Sequence, residues 1–520
     1  MSSQLIYLYG PPASGKSTLG QLLAGQLRLP FYDLDVEIEA RAGKSIAQLF
    51  TEEGEVGFRR RESEALEEVA RRPAGVVALG GGALLSPENR ALAEDSGTIL
   101  TLSASFETIS QRLEASGGGR PLLDEDAQNQ LRGLLDQRSG HYRSFPLRMA
   151  VDELTAGEAA RQAQIRLGAF RVEGMGTGYD VRAAAGGLGN LGAMLQTRGL
   201  RGPLALVSDE NVAKFYEPQA LAALAKAGYQ TCSIVIPAGE EKKTFATAGR
   251  LLDGFLAGKL DRSSTVIALG GGVVGDLAGF AAAIYLRGVA WAAVPTSLLA
   301  MVDASLGGKT GADLPQGKNL VGAFHPPSLV LADLQTLATL PEAELRNGLA
   351  EVVKHGVIGD PDLFARCCQG FDALQADLDE VVRRAVAVKV AVIQRDPYER
   401  DVRASLNLGH TLGHGLEVGS DFRLRHGEAV AIGMIAAARL AERKGVAQEG
   451  LARTIEDCLD GLGLPTRMPA GMDRERLHAA MGVDKKRSAG KLRLVLPERI
   501  GAVRWGVEID NPKELVDMLR

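Results

Sequence analysis

A chain of 520 residues exceeds one ordinary domain and, at roughly 150 residues each, points to three or four. With 45% hydrophobic and 24% charged residues it can bury large cores, which excludes a disordered, collagenous or low-complexity chain. Basic residues number 59 and acidic residues 64, so a net charge of -5 gives no case for a nucleic-acid partner, while 63 glycines mark places where backbone meets something closely. The opening Met1-Ser2-Ser3-Gln4 lacks the basic and apolar regions of a signal peptide. The longest apolar stretch, Leu277 to Leu286, is closed by Asp276 and Arg287 and is too short to cross a bilayer. Cys232, Cys367, Cys368 and Cys458 form no C-x-x-C pair and make a poor disulfide framework. These features predict a soluble cytoplasmic protein without a membrane or nucleic-acid partner.

Leu5 to Tyr9 reads as a strand feeding G-P-P-A-S-G-K-S-T, Gly10 to Thr18, with a helix from about Lys16. This is G-x-x-x-x-G-K-[ST] with the strand before and the helix after that a P-loop requires. Gly10 and Gly15 let backbone N–H groups wrap phosphates, Lys16 would neutralise the β- and γ-phosphates, and Ser17 could ligate Mg²⁺. Phe31 to Asp35, F-Y-D-L-D, reads as a second strand end after Leu27-Arg28-Leu29, with two carboxylates pointing the same way. Asp33 could join the Mg²⁺ shell and Asp35 could take a proton from an acceptor hydroxyl; such a pair alone is usually just a solvated loop.

Further along come G-E-V-G-F-R-R-R-E-S-E (Gly54 to Glu64), V-V-A-L-G-G-G (Val76 to Gly82) and G-G-G-R-P-L-L (Gly117 to Leu123). With the P-loop and D-L-D, these make residues 1–168 closely resemble shikimate kinase. The resemblance implies a parallel sheet with helices on both faces and ATP-dependent phosphorylation of shikimate to shikimate 3-phosphate. It puts ATP against Gly10, Pro12, Ser14, Gly15, Lys16, Ser17, Thr18, Arg112 and Arg120, with Arg120 in a lid at Gly117–Gly119. It puts shikimate against Asp35, Arg59, Gly81, Gly82 and Arg138, the two arginines gripping a carboxylate. Arg60 and Arg61 read as a solvated helix face, since only Arg59 occupies the motif position.

A new pattern begins near Phe170, with a β-like Arg171 to Tyr179 and no Pro/Ser-rich linker. Pro203 to Ser208 reads as a strand, a helix runs through Leu224, and Thr231 to Ile236 reads as the next strand. G-x-G-x-x-G is absent; instead T-V-I-A-L-G-G-G-V-V-G-D, Thr265 to Asp276, runs strand, glycine loop, helix, so a pyrophosphate could approach the helix start. His410 and His414 lie four apart in N-L-G-H-T-L-G-H and His426 follows in H-G-E, a spacing that favours a metal site. Glu351, in G-L-A-E-V-V-K-H, could complete a His₂Glu set with an open position. Spacing leaves His414 as either ligand or base. Lys309, Lys318, Asn319, Lys354, Lys389, Arg403 and Lys485 add a capacity for anions.

These motifs, with V-P-T-S-L-L-A-M-V-D-A-S-L-G-G-K-T at Val294 to Thr310, make residues 170–520 strongly resemble 3-dehydroquinate synthase. The resemblance implies an α/β NAD-binding domain over 170–335 and an α-helical metal and substrate domain over 336–520. It also implies NAD- and Zn²⁺- or Co²⁺-dependent conversion of 3-deoxy-D-arabino-heptulosonate 7-phosphate to 3-dehydroquinate plus phosphate. Glu351, His410 and His426 become the metal ligands and His414 a proton relay. Asp209, Asn211, Glu240, Lys243, Gly271, Gly272, Asp276, Thr296, Asp303, Lys318 and Thr339 would line NAD. Lys309, Asn319, Lys354, Lys389, Arg403, Asn407, His414 and Lys485 would hold the substrate, with Arg287 reaching in from a neighbouring subunit of a homodimer. His355 departs from the family pattern, which has an aromatic residue there, and reads as a packing change; His325, in A-F-H-P-P, reads as a loop residue. Two other readings remain: a different sugar-phosphate cyclase such as 2-deoxy-scyllo-inosose synthase in the second half, or one half as an inactive scaffold. Arg403 speaks against the first, and Lys16, Asp33, Asp35, Glu351, His410, His414 and His426 against the second.

Overall fold

The strand Gln4–Tyr9 shows how the first half is built: Leu5, Tyr7 and Tyr9 alternate with Ile6 and Leu8, and both sets are buried. A strand buried on both faces needs helices on both sides of its sheet. In the computed structural model, which describes residues 4–115, 125–421, 423–472, 474, 475, 477, 492–509, 511 and 513–519, this is what surrounds it. Leu5, Tyr7 and Tyr9 pack with Leu34, Phe58, Leu66 and Phe145, whereas Ile6 and Leu8 pack with Leu19, Leu23, Ala160 and Ala163. Five parallel strands run in the order Phe31–Asp33, Ala74–Ala78, Gln4–Tyr9, Gly97–Ser103, Arg148–Ala150. The chain divides into two compact units, Met1–Arg171 and Val172–Arg520.

Two local readings change here. Leu27 ends the helix Lys16–Leu27 and Arg28 caps it in left-handed backbone, so the second strand is only Phe31–Asp33. Asp35 is not on that strand but in the first turn of the helix Leu34–Ala42, whose N-cap is Asp33; the Asp33 carboxylate accepts the Asp35 N–H at 3.1 Å. The two carboxylates are neighbours through a cap and not through strand alternation.

In the second unit, parallel strands run in the order Tyr179–Ala184, Leu329–Asp333, Ala290–Pro295, Thr265–Gly270, Leu204–Asp209, Thr231–Ile236. The expected single strand over 171–179 is interrupted: Ala169–Val172 and Tyr179–Ala184 flank a turn with left-handed glycines at 174, 176 and 178. An antiparallel hairpin, Lys309–Leu314 with Gly317–Phe324, leaves the sheet region. Among the described residues from Glu342 onward the chain is mainly helical, with Glu342–Gly359, Leu378–Arg395, His410–Gly419 and His426–Arg443 the helices that matter below. A second hairpin, Leu492–Arg499 with Ala502–Ile509, joins them.

Those helices approach closely because glycine faces the contact. A Cβ on Gly427 would lie 2.8 Å from the Asn347 carbonyl carbon, and one on Gly433 2.9 Å from that of Gly409. Gly413 likewise sits against Val430. These contacts bring the N-terminal ends of His410–Gly419 and His426–Arg443 against the middle of Glu342–Gly359. Among the described residues no helix is long and apolar enough to cross a membrane.

Candidate functional site

In the first unit the site forms at the carboxyl ends of the parallel strands, where Leu8, Ala78 and Asp33 stand level. The strand Gln4–Tyr9 ends in Gly10, where a Cβ would meet the Leu102 backbone, and the loop turns through left-handed Ala13 and Gly15 into the helix Lys16–Leu27. Lys16 Nζ donates to the Gly10 and Pro11 carbonyls at 3.0 and 2.7 Å, curled back over its own loop. Loss of water lowers its pKa to about 8, although Asp35 and Asp33 pull the other way. Ser17 Oγ donates to Asp33 at 2.5 Å, and burial followed by repulsion from Asp33 raises the pKa of Asp35.

Gly80, Gly81 and Gly82 complete this edge. A Cβ on Gly80 would meet Glu62 Oε1 at 2.7 Å and Asp35 Oδ1 at 3.4 Å; one on Gly81 would meet the Gly10 carbonyl at 3.3 Å; one on Gly82 would enter the Arg59 guanidinium. Arg59 Nη1 donates to Glu62 at 2.7 Å, and Arg138 acts electrostatically on Tyr9, Glu62 and Tyr142. Tyr142 donates to the Gly81 carbonyl at 2.7 Å. Arg112 donates to the Val151 carbonyl at 3.0 Å and lies 3.6 Å from where a Gly15 side chain would start. Gly10, Gly15, Lys16, Ser17, Asp33, Asp35, Arg59, Gly81, Gly82, Arg112 and Arg138 thus come to one edge, while Pro12, Ser14 and Thr18 lie in the same loop and helix start. Arg120 and the Gly117–Gly119 segment lie outside the described residues.

In the second unit Gly270, Pro295 and Asp209 stand at the same carboxyl edge of the sheet, followed by Gly271, Gly272 and Thr296. Asp209 caps the helix Glu210–Lys226 by accepting the Asn211 and Val212 N–H groups at 2.8 and 3.1 Å. A cleft lined by Gly270, Gly271, Gly272, Asp276, Ala304, Gly308 and Lys309 opens there. Lys243 lies 2.5 Å from Asp276 and donates to Asn319 at 2.7 Å, so a residue expected on the NAD side binds one expected on the substrate side. Thr339 ends the turn after Leu329–Asp333 and hydrogen-bonds Tyr216 at 2.7 Å.

Beside this edge the helices deliver the cluster. Glu351 is 0% exposed, and the cations and rings that face its carboxylate are Lys354, His410 and His426. His410 Nε2 and His426 Nε2 lie 3.6 and 3.5 Å from Glu351 Oε1. The Lys354 ammonium pairs with Glu351 and, though burial opposes the charge, holds that carboxyl well below the usual range. One ligand atom from each of Glu351, His410 and His426 lies within 4.8 Å of the others, so these residues fit a divalent cation: two imidazoles and a buried carboxylate. The His414 ring lies 5.4 Å from the His410 ring on the same helix face.

Asp303, expected on the NAD side, faces Lys389 at 2.5 Å and Lys354 at 3.7 Å, and these lysines hold its carboxyl well below its usual range against the pull of burial. Burial in turn lowers Lys389 to about 8. Arg403, 2% exposed, donates to the Gly307 carbonyl at 3.0 Å and to that of Pro397. Lys309 pairs with Glu399, which also accepts from Asn407 at 3.2 Å. Arg287 stands apart: it is exposed, in left-handed backbone, and makes no ion pair among the described residues. Lys485 lies outside them. His325 bonds the Val289 carbonyl at 2.9 Å as a loop residue, whereas His355 is fully buried 3.8 Å from Asp303 with neither ring nitrogen hydrogen-bonded.

Sequence reasoning passed over Glu62, Glu399 and Glu417. Glu62 sits three residues after Arg59 on one helix, and Glu417 seven after His410, so helical spacing held the signal for both. Nothing local ties Glu399 to Lys309.

The family model for shikimate kinase matches residues 12–166, and those for the N- and C-terminal parts of 3-dehydroquinate synthase match 233–347 and 348–487. The 3-dehydroquinate synthase of Symbiobacterium thermophilum is 48% identical over 347 residues, covering 64% of this chain and 97% of that protein. The chain belongs to the shikimate kinase and 3-dehydroquinate synthase families. It is a bifunctional enzyme of the shikimate pathway, a kinase followed by a phosphate lyase. The 3-dehydroquinate synthase of a Synechococcus strain is 46% identical over 334 residues, 62% of this chain and 91% of that one. Among solved structures, 2-deoxy-scyllo-inosose synthase with carbaglucose-6-phosphate, NAD⁺ and Co²⁺ is 25% identical with a TM-score of 0.61, covering 67% of this chain and 98% of that one. The 2-epi-5-epi-valiolone synthase of Streptomyces hygroscopicus, with NAD⁺ and Zn²⁺, is 32% identical with a TM-score of 0.59, covering 65% and 95%. The synthase unit thus shares its fold with other sugar-phosphate cyclases, while its sequence lies nearer to the 3-dehydroquinate synthases.

Proposed function

We infer that the two activities are carried out by the residues gathered at and beside these two strand edges, together with Arg120 and Lys485, which lie outside the described residues. Phosphorylation of shikimate uses Lys16, Ser17 and Asp33 to hold Mg²⁺ and the ATP phosphates, with Gly10, Pro12, Ser14, Gly15, Thr18, Arg112 and Arg120 completing the nucleotide site. Arg59 and Arg138 grip the carboxylate beside Gly81 and Gly82, and Asp35 accepts the proton of the attacking hydroxyl. The raised pKa of Asp35 supports a group that can take and return a proton.

The synthase reading rests on one observation above all: a fully buried Glu351 carboxylate faced by the imidazoles of His410 and His426. A Zn²⁺ or Co²⁺ held there supplies Lewis-acid polarisation of a substrate hydroxyl, and NAD at the Gly271–Gly272 edge carries the hydride. NAD is held by Asp209, Asn211, Glu240, Lys243, Asp276, Thr296, Lys318 and Thr339. Lys309, Asn319, Lys354, Lys389, Arg403, Asn407 and Lys485 bind the carboxylate, phosphate and hydroxyls, while His414 relays a proton at its imidazole. Asp303 belongs to both lists, since it orders the two buried lysines. In this reading 170–335 form the NAD part and 336–520 the cation and substrate part, after a kinase domain of 1–168. A homodimer in which Arg287 of each chain serves its partner's site accounts for that arginine's exposure. A cytoplasmic setting is supported by four free cysteines.

Incubation of the purified chain with 3-deoxy-D-arabino-heptulosonate 7-phosphate, NAD⁺ and Zn²⁺ releases phosphate, and chelation or His410→Ala abolishes the release. Shikimate phosphorylation with ATP survives His410→Ala and is lost in Asp35→Asn. Phosphate release that persists through both chelation and His410→Ala would sink the cation assignment; full kinase activity in Asp35→Asn would remove the base.

A further inference from the structure

Glu417 has no part in the assignment above. It lies on His410–Gly419, on the same face as His410 and His414, and its side chain is 7% exposed. Its Oε2 is 3.5 Å from His426 Nδ1, while His426 Nε2 is 3.5 Å from Glu351 Oε1. The two nitrogens of one imidazole therefore face two different carboxylates. Glu417 Oε1 lies 3.3 Å from Lys318 Nζ, which the hairpin strand Gly317–Phe324 carries. Lys318 in turn reaches Glu240 at 3.5 Å.

A neutral imidazole carries one N–H, so presenting a lone pair on Nε2 requires the proton on Nδ1. A carboxylate accepting from Nδ1 fixes that tautomer and the ring's orientation. A buried carboxylate also needs a counter-charge, and Lys318 brings one from a different part of the unit. We propose that Glu417 is a positioning residue: it keeps the proton of His426 on Nδ1 and aims Nε2 at Glu351, and its pair with Lys318 makes this hold depend on the hairpin. The inference rests on the reading of Glu351, His410 and His426 as cation ligands.

Titrating Co²⁺ into the metal-free full chain tests it, read by visible absorption and by competition with a chelator, with circular dichroism and thermal unfolding as checks of the fold. Wild type binds one ion per chain, and Glu351→Gln loses it. Glu417→Gln keeps one ion but binds it about 10- to 100-fold more weakly, with an altered absorption envelope. Lys318→Met weakens binding about two- to fivefold, and adding it to Glu417→Gln costs nothing more. Unchanged affinity and spectrum in Glu417→Gln, beside loss in Glu351→Gln, overturns the inference alone; wild-type binding in Glu351→Gln overturns the ligand reading beneath it. Two ions per chain, the second lost in Glu417→Gln, also overturns it, because Glu417 would then be a ligand. Should Glu417→Gln fail to fold, Lys318→Met carries the test, and undiminished affinity there counts against the proposal.

Discussion

Gly307 has φ of +91°, and a Cβ built on it would enter the Arg403 guanidinium, 2.9 Å from Cζ and 3.2 Å from Ile393 Cδ1. Gly307→Ala therefore meets two penalties. Alanine in left-handed backbone costs about 1–2 kcal/mol. The guanidinium, held by the Gly307 and Pro397 carbonyls and 2% exposed, must shift and give up at least one charge-assisted hydrogen bond, about 1.5–3 kcal/mol. The sum is an upper range because the loop relaxes, so a stability loss of about 2–4 kcal/mol is expected in denaturant unfolding. For catalysis, a displaced Arg403 lowers kcat/KM for phosphate release roughly 10- to 100-fold, about 1.4–2.7 kcal/mol. Shikimate phosphorylation by the same chain is the internal control and stays within about twofold of wild type. Arg403→Lys in the Gly307→Ala background recovers part of the lost stability, because the clash goes with the fork. Stability within about 0.5 kcal/mol of wild type, with unchanged kcat/KM, would refute the reasoning.

Lys16 titrates near pH 8 in the free enzyme, so kcat/KM for ATP falls as pH rises through about 8, and Lys16→Arg removes that limb while keeping a cation. His355 takes a proton near pH 3 when folded but near 6.5 when unfolded, so the second unit loses stability as pH falls below about 6.5. His355→Phe flattens that slope and raises Tm at pH 6, since two buried nitrogens without hydrogen bonds are removed. Gly82→Ala pushes Arg59 aside and raises KM for shikimate with little effect on KM for ATP. Lys243→Met leaves Asp276 without its cation and lowers stability by about 3 kcal/mol, read from denaturant unfolding.

Much of both sites was legible because it is local. The P-loop and the Thr265–Asp276 turn are contiguous strand, glycine and helix, and chain order alone puts them at a strand's carboxyl end. His410 and His414 needed only the helical period, and the same period applied to Glu417 would have found it. The error at Asp35 was also local: an aspartate that caps a helix looks in sequence like one that ends a strand, and the hydrogen bond to the Asp35 N–H decides between them. The pairing of Asp303 could not be read from its neighbours, since its partners Lys354 and Lys389 come from two other helices. The pair of Lys309 with Glu399 likewise spans distant segments.

Glycine separates the two kinds of knowledge. The sequence by itself determined where two glycine loops stand, because Gly10–Gly15 and Gly270–Gly272 lie between a strand and a helix that place them. Gly409, Gly413, Gly427 and Gly433 are helical or next to helix, with no such local cue. Only the tertiary structure shows that each makes room for another segment's backbone or side chain, so that Glu351, His410 and His426 can meet. The lack of a side chain is written at one position, but what fills its space comes from elsewhere in the chain.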